Sequence, residues 1–183
     1  MVSGPFFFPW SDFEMLIWIS KQLDRVIIRF GQIAAWLVLP LIGVTVFDVV
    51  TRRFFVLGST RLQEMEWHFH AALLMLCLGY GYLKDVHVRV ELVRERRGSR
   101  LKAWIELVGC VLFLLPYTFL ILYTGFDFVE VSFLQDEVSP SMSGLPYRWA
   151  IKSTVIIGFL LVGAAGFSVL IRQVLCLSKK GKS

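Results

Sequence analysis

The sequence predicts an all-α integral membrane protein with four transmembrane helices and an N-terminal interfacial amphipathic helix. Four stretches carry no Asp, Glu, Lys or Arg: 30–47, 67–83, 107–126 and 153–171. Each is close to the ~20 residues that a helix needs to cross a ~30 Å hydrocarbon core. They are apolar on every side, whereas a helix of a soluble domain keeps a polar face. Composition agrees, with 56% hydrophobic residues and a mean hydropathy of +0.67.

The distribution of positive charge predicts the orientation of these helices. The net charge of +5 would suggest a nucleic-acid ligand in a soluble protein, but here we expect no nucleic-acid partner. Fourteen Lys and Arg residues fall in three segments that would share one side of the membrane, 1–29, 84–102 and 172–183, and five fall on the other side. Because positive flanks stay cytoplasmic, both termini are expected inside, in a bacterial inner (cytoplasmic) membrane that the chain crosses several times.

The N-terminal segment, residues 1–29, is predicted to contain the interfacial helix. Between Phe13 and Phe30 apolar residues recur at helical spacing while basic residues supply a polar side, which is typical of a helix lying along a leaflet. The alternative is that this helix continues the first span as one longer tilted helix. No basic stretch followed by a small-residue cleavage site opens the chain, so we expect Met1 to be retained.

A four-helix transmembrane domain is predicted over residues 30–174. Its spans are placed at about 30–50, 64–83, 104–128 and 150–172, and a basic cytoplasmic tail at 175–183. Pro40 should kink the first span and Pro116 should bend the third, because proline removes a backbone hydrogen bond. Asp48 and Arg52 stand at i and i+4, which favours an ion pair, and the basic pair Arg52 and Arg53 could equally hold lipid phosphates. Turn-forming residues fill 139–146, where Pro146 suits the first turn of the last helix.

The densest polar cluster opens the second span, with Glu64, Glu66, His68 and His70 around Trp67. Ionisable groups near a membrane are costly and by default indicate a functional or interface site. Glu64 and His68 share one helix face and Glu66 and His70 another, about 200° away, so the four do not converge on a metal. The Glu-x-x-His spacing of di-iron bundles is absent. A hydrogen-bonding or partner-contact role is the favoured interpretation.

The second loop, 84–102, is strongly basic and begins with alternating residues over 85–91 that suggest an extended segment at the membrane surface. The mixed charges of Asp85, His87, Arg89 and Glu91 predict specific pairing, for which Glu106 is one candidate partner. The three cysteines lie at spans on different helices with no C-x-x-C pair, and we interpret them as packing residues. No nucleophile with a base, no phosphate-binding glycine loop and no convergent carboxylate pair is present, so an enzyme is not expected.

Four segments together resemble the small membrane subunit of TRAP transporters, the DctQ-like family. They lie in the family's order relative to the spans and read Asp48-Val-Val-Thr-Arg-Arg-Phe54, Leu62-Gln-Glu-Met-Glu-Trp-His68, Gly79-Tyr-Gly-Tyr-Leu-Lys-Asp-Val-His-Val-Arg-Val-Glu91 and Gly144-Leu-Pro-Tyr-Arg-Trp-Ala-Ile-Lys152. Each segment is weak evidence alone, and their succession is more specific.

The resemblance implies a subunit of a tripartite ATP-independent importer. The expected partners are a large, DctM-like TRAP permease subunit, a periplasmic solute-binding protein and membrane lipids. In the family the large subunit carries the sodium and substrate sites, so this subunit is expected to hold no cofactor and to scaffold sodium-coupled uptake of an organic acid. The expected partner or lipid interface comprises Arg52, Arg53, Glu64, Trp67, His68, Arg89, Arg148, Trp149 and Lys152.

Two other functions compete with this one. A haem- or quinone-associated membrane anchor of a respiratory enzyme would need axial histidines on facing helices. His68, His70 and His87 are the only three in the chain, and His87 lies across the membrane from the others. An autonomous channel would need polar residues that converge along a pore, whereas the polar residues of this chain cluster at the ends of its spans.

Overall fold

The computed structural model describes residues 10–55, 58–84, 99–141 and 143–179, and all regular structure within them is helical. The helices are α1 (Trp10–Ala35), α2 (Val38–Phe54), α3 (Thr60–Leu83), α4 (Ser99–Gly109), α5 (Leu115–Leu134) and α6 (Arg148–Lys179). A π-helical turn, Cys110–Leu114, joins α4 to α5. The extended segment predicted over 85–91, with Arg89, lies outside the described residues.

Three helical stretches of the described residues are long and apolar enough to cross a membrane: Phe13–Phe54, Leu101–Leu134 and Arg148–Ser178. They correspond to the first, third and fourth predicted spans. The second, in α3, is long enough at 24 residues but more polar, since it begins with the Glu64 to His70 cluster. The apolar helices make this a membrane protein, and a membrane crossing by α3, the second predicted span, remains a prediction.

The junction between α1 and α2 lies at Trp36 and Leu37, later than the expected boundary after residue 29. Pro40 explains the position, because it cannot donate to the carbonyl of Trp36 and its ring crowds that carbonyl. The backbone tightens there, with Trp36 N–H donating to Ile33 O at 3.1 Å and Leu37 N–H to Ala34 O at 2.9 Å. The predicted kink at Pro40 is therefore present, as an interruption between two helices.

Pro116 acts in the same way in the third stretch. The π-helical turn ends at Leu114, two residues before it, and Leu115 N–H donates to the carbonyl of Cys110, five residues earlier. The wider turn accommodates a proline that cannot complete the α-helical ladder. Pro146, by contrast, was expected in the first turn of α6, and this placement is wrong. The helix begins at Arg148, after Tyr147 has adopted a φ of +62°.

Helix α6 lies at the centre of the bundle and packs against α1, α3, α4 and α5, whereas α2 packs mainly against α3. Glycines allow the closest approach, between α3 and α6. A Cβ on Gly79 would lie 2.9 Å from the carbonyl carbon and oxygen of Leu161, and one on Gly158 would lie 2.6 Å from Met75 O. Ile27, Leu161 and Ala165 form the buried cluster where α1 joins them.

A polar network fixes α1 against α6. Ser20 and Ser168 are buried and their hydroxyl oxygens are 2.8 Å apart. Ser168 donates to Asp24 Oδ1 at 2.6 Å, and Arg172 contacts Asp24 Oδ2 at 3.2 Å. Hydrogen bonds between buried polar groups are directional, so this network sets which face of α1 is turned toward the bundle.

Candidate partner-binding site

The loop between α5 and α6, residues 135–147, is held to the start of α3 by Glu64. Its Oε2 accepts a hydrogen bond from Leu145 N–H at 2.6 Å, and its Oε1 accepts one from the Ser139 hydroxyl. One turn earlier Arg61 Nε donates to Ser143 O at 2.9 Å. Glu64, predicted to contact a partner, therefore uses both of its carboxylate oxygens within the chain.

The path of this loop depends on Gly144. A Cβ at this position would lie 2.2 Å from the Cβ of Ser139 and 2.8 Å from Glu64 Oε1. The loop begins with Asp136 at a φ of +44°, where Asp136 N–H donates to Phe133 O and Glu137 N–H to Ser132 O at 3.0 Å. This is the Schellman arrangement that ends many helices, with aspartate at the position usually taken by glycine.

The other end of the loop is fixed by Glu137. Lys152 donates to Glu137 Oε2, and Arg148 NH1 lies 3.9 Å from Glu137 Oε1. The Lys152 hydrogen bond is the main reason that the pKa of Glu137 lies below the ordinary value of a glutamate. The Lys152 ammonium also lies 3.9 Å from the ring centroid of Phe128. Arg148 and Lys152 thus share one carboxylate on their own chain.

Two further predicted interface residues also make contacts within the chain. His68 Nδ1 donates to Glu64 O at 2.5 Å, a local bond along α3. The ring of Trp149 meets that of Phe133 edge to face, with centroids 5.5 Å apart. Glu64, Arg148, Trp149 and Lys152 therefore contribute to fastening the α5–α6 loop or its flanking helices, whereas the His68 hydrogen bond stays within α3.

A groove between α2 and α3 contains three other predicted residues, Arg52, Arg53 and Trp67. It consists of two adjoining cavities of about 580 Å³ each, which share Thr45, Glu66 and Trp67. One cavity extends past Arg52 and Arg53, and the other past Leu41 and His70. Trp67 stands at the groove with 75% of its surface exposed. We refer to this surface as the α2–α3 groove.

Asp48 is the most deeply buried charged residue of the groove, at 3% exposure. Its Oδ2 pairs with Arg52, as the i, i+4 spacing predicted. The Gln63 amide, turned so that its oxygen faces Arg52, accepts from Arg52 NH1 and NH2 at 3.1 and 2.8 Å. The second carboxylate oxygen, Asp48 Oδ1, is buried with no hydrogen-bond partner within the described residues.

Glu66 carries a second such atom. Its Oε1 is buried and without a hydrogen-bond partner in the described part of the chain. A buried carboxylate oxygen without a donor costs about 1–3 kcal/mol or more, so it is expected to be satisfied from elsewhere. Glu66 and Asp48 both line the same cavity, so the two buried oxygens without a donor belong to side chains of the α2–α3 groove.

The structure thus separates the predicted interface into two places. Arg52, Arg53 and Trp67 line the α2–α3 groove, the loop-fastening residues lie elsewhere, and Arg89 is not described. Asp48 was not among the predicted interface residues, and Glu66 was predicted only as a member of the polar cluster that opens the second span. The sequence feature that could have identified both residues is their negative charge at the end of an apolar span. The helix wheel of α3 alone could not show that Glu66 faces α2.

The sequence matches the family model of the DctQ component of tripartite ATP-independent periplasmic transporters over residues 41–176. The match covers more than half of the chain. It includes most of α2, all of α3, α4 and α5, and most of α6. The chain belongs to the DctQ family. No curated protein matches it.

Membership of the DctQ family confirms the predicted resemblance and makes the chain a component of a transporter, not a member of an enzyme family. The matched range contains both the α2–α3 groove and the fastened loop, and it leaves out α1. The competing haem- or quinone-anchor interpretation gains no support from this match.

Proposed function

We propose that this chain is the small membrane subunit of a TRAP transporter and scaffolds a large permease subunit for sodium-coupled uptake of an organic acid delivered by a periplasmic binding protein. Family membership supports the assembly. The observation that carries the scaffolding role is the pair of unpartnered buried oxygens, Asp48 Oδ1 and Glu66 Oε1, in an accessible groove. We expect the large subunit to supply their hydrogen-bond donors.

The arrangement of α2 favours this surface as the contact. Because α2 packs mainly against α3, much of its remaining surface is open, and Val46, Phe47 and Val49 are each more than half exposed. Apolar side chains beside a polar groove fit a membrane-embedded interface, where shape and hydrogen bonds bring helices together. Arg53 has no ion-pair partner among the described residues and is a further group available to a partner or lipid.

We propose four spans, with α3 as the second and both termini in the cytoplasm. A helix of 24 residues is about 36 Å long, enough to cross the hydrocarbon core. Helix α3 contacts α1, α2 and α6, so most of its length would be shielded from lipid. The charged residues of α3 fall in its first three turns, while 71–83 carries no charge. With α3 as a span the chain crosses the membrane four times, so both termini lie on the same side.

In this arrangement α1 approaches the bundle from the cytoplasmic side. The helical stretch Phe13–Phe54 has 42 residues, about 63 Å if fully helical, which is twice the hydrocarbon thickness. The excess length favours an N-terminal part of α1 that lies at the membrane surface. We also propose that the sodium and substrate sites are in the large subunit and that this chain holds no cofactor.

Co-purification tests the groove as the contact. Asp48→Asn and Glu66→Gln each remove a charge from the groove, and together they are expected to lower recovery of the large permease with the tagged small subunit by about tenfold, equivalent to 1.4 kcal/mol. The matched control is Asp127→Asn with Glu130→Gln, two exposed acidic residues of α5. Equal recovery with both double variants would contradict the groove contact.

A second measurement tests the function itself. Uptake of organic acids by cells or proteoliposomes should require the small subunit, the large permease and the binding protein together, and should require a sodium gradient. Transport by the small subunit alone, or uptake indifferent to sodium, would contradict the proposed function. Uptake that persists while the groove variant loses co-purification would contradict the scaffolding role only.

A further inference from the structure

Helix α1 presents two neighbouring stripes of exposed side chains. The first is basic: Lys21, Arg25 and Arg29 recur at i, i+4 and i+8, and all three are exposed. None of them forms an ion pair within the described residues. Residues four apart lie on one helix face, so the three charges form a line about 12 Å long.

The second stripe is apolar and lies beside the first. Its members are exposed large side chains, at 43% to 70%, and they are Met15, Trp18, Val26, Phe30 and Ile33. At 100° per residue these five fall within about 120° of the helix circumference, and the basic stripe overlaps one edge of that sector. Glu14 is the one acidic residue at the start of the basic stripe.

The third side of α1 is already occupied by the bundle. Ser20, Ile27, Gly31 and Ala34 are buried there. A Cβ on Gly31 would lie 2.5 Å from the Cβ of Tyr80, so α1 is seated closely on α3. The Asp24 network to Ser168 and Arg172 prevents rotation of α1. The two exposed stripes therefore have fixed directions and are not free to turn into the bundle.

We infer that this face of α1 binds anionic phospholipid: the apolar stripe enters the headgroup and acyl boundary, and Lys21, Arg25 and Arg29 bind lipid phosphates. The inference rests on the proposed position of α1 at the cytoplasmic face. The positive charge of this face indicates its ligand. An apolar stripe edged by cations that form no ion pair among the described residues complements an anionic lipid surface. Each Lys or Arg near such a surface contributes about a fivefold preference over neutral lipid.

The experiment uses the full chain purified in detergent and titrated with phosphatidylglycerol or phosphatidylcholine, with bound lipids counted by native mass spectrometry. We expect phosphatidylglycerol to be retained at least about tenfold better than phosphatidylcholine. The triple variant Lys21→Gln, Arg25→Gln, Arg29→Gln should lose this preference. Arg61→Gln, an exposed arginine at the opposite end of the bundle, is the matched control and should keep it.

Three outcomes would overturn the inference: no preference in the unaltered chain, an unchanged preference in the triple variant, or an equal loss in Arg61→Gln. If the triple variant does not fold, as judged by its thermal unfolding, Arg25→Gln alone should lower the preference about fivefold. A retained preference with lost co-purification of the large permease would show that the stripe contacts protein. Failure of the unaltered chain to co-purify would contradict the proposed function and leave the lipid preference standing.

Discussion

Glu64 on α3 accepts a hydrogen bond from the backbone of Leu145 at 2.6 Å, joining residues 81 positions apart in the sequence. The same carboxylate accepts a hydrogen bond from Ser139. An acidic residue that would be unfavourable at the end of an apolar helix is thereby satisfied by a loop, and the loop is held against the bundle. The Glu64 carboxylate is therefore hydrogen-bonded without a partner subunit. Glu66, two residues later, has an oxygen with no such donor among the described residues.

Gly144→Ala should destabilise the α5–α6 loop. The added Cβ would lie 2.2 Å from the Ser139 Cβ, so Ser139 and Glu64 must move and their hydrogen bonds are lost. Overpacking of this kind costs about 1–3 kcal/mol. We expect faster proteolysis within 135–147 and a lower midpoint of thermal unfolding. Gly43→Ala is the control, because no atom lies within 4 Å of its Cβ position; a loss as large there would argue against the steric explanation.

Gly79→Ala should loosen the crossing of α3 and α6. The new methyl group would lie 2.9 Å from the backbone of Leu161, and backbone atoms cannot rotate away as a side chain can. The expected loss is about 1–3 kcal/mol, measured by thermal unfolding in detergent. Gly109→Ala adds the same methyl group on α4, where nothing lies within 4 Å. The prediction fails if the two variants unfold at the same temperature.

Ser168→Ala should weaken the attachment of α1. Ser168 is fully buried and bonds both Ser20 and Asp24, so its removal leaves two polar groups with fewer partners. The cost of such a deletion is about 1–3 kcal/mol. Thermal unfolding would measure it, and hydrogen exchange should rise along 10–35 more than elsewhere. Ser178→Ala, at an exposed position of the same helix, should change neither quantity.

The Glu137 ion pair should make stability depend on acid pH. The pKa of Glu137 is lowered in the folded protein, chiefly by Lys152, so the stabilisation is fully present above the ordinary glutamate pKa. It is lost as pH falls below the ordinary glutamate pKa and through the lowered value. The midpoint of thermal unfolding should therefore fall more steeply there in the unaltered chain than in Glu137→Gln.

Lys152→Met provides the second half of this test. It removes the main cause of the lowered pKa while keeping a long side chain over Phe128. Above pH 5 it should lower the unfolding midpoint, and it should flatten the acid dependence as Glu137→Gln does. If the unfolding midpoint falls equally steeply with pH in the unaltered chain, Glu137→Gln and Lys152→Met, then carboxylates other than Glu137 cause the pH dependence.

The sequence by itself determined the class of this protein and most of its helices. Uncharged apolar stretches identify membrane helices because a lipid-exposed helix has no polar side, and Pro40 and Pro116 mark interruptions because their effect on the backbone is local. The Asp48 to Arg52 pair was predictable for the same reason, since i and i+4 are neighbours on any helix. The order of four weak motifs was sufficient to indicate the family.

Only the tertiary structure decided which polar residues are satisfied within the chain. Glu64 and Glu66 are equally acidic and two positions apart, yet one meets a loop 75 to 81 residues away and the other faces α2. Lys152 and Arg148 could have met a partner, and they meet Glu137 instead. Such pairings depend on how helices pack around Gly79 and Gly158 and on where a loop turns, and neither is encoded in the local pattern of residues.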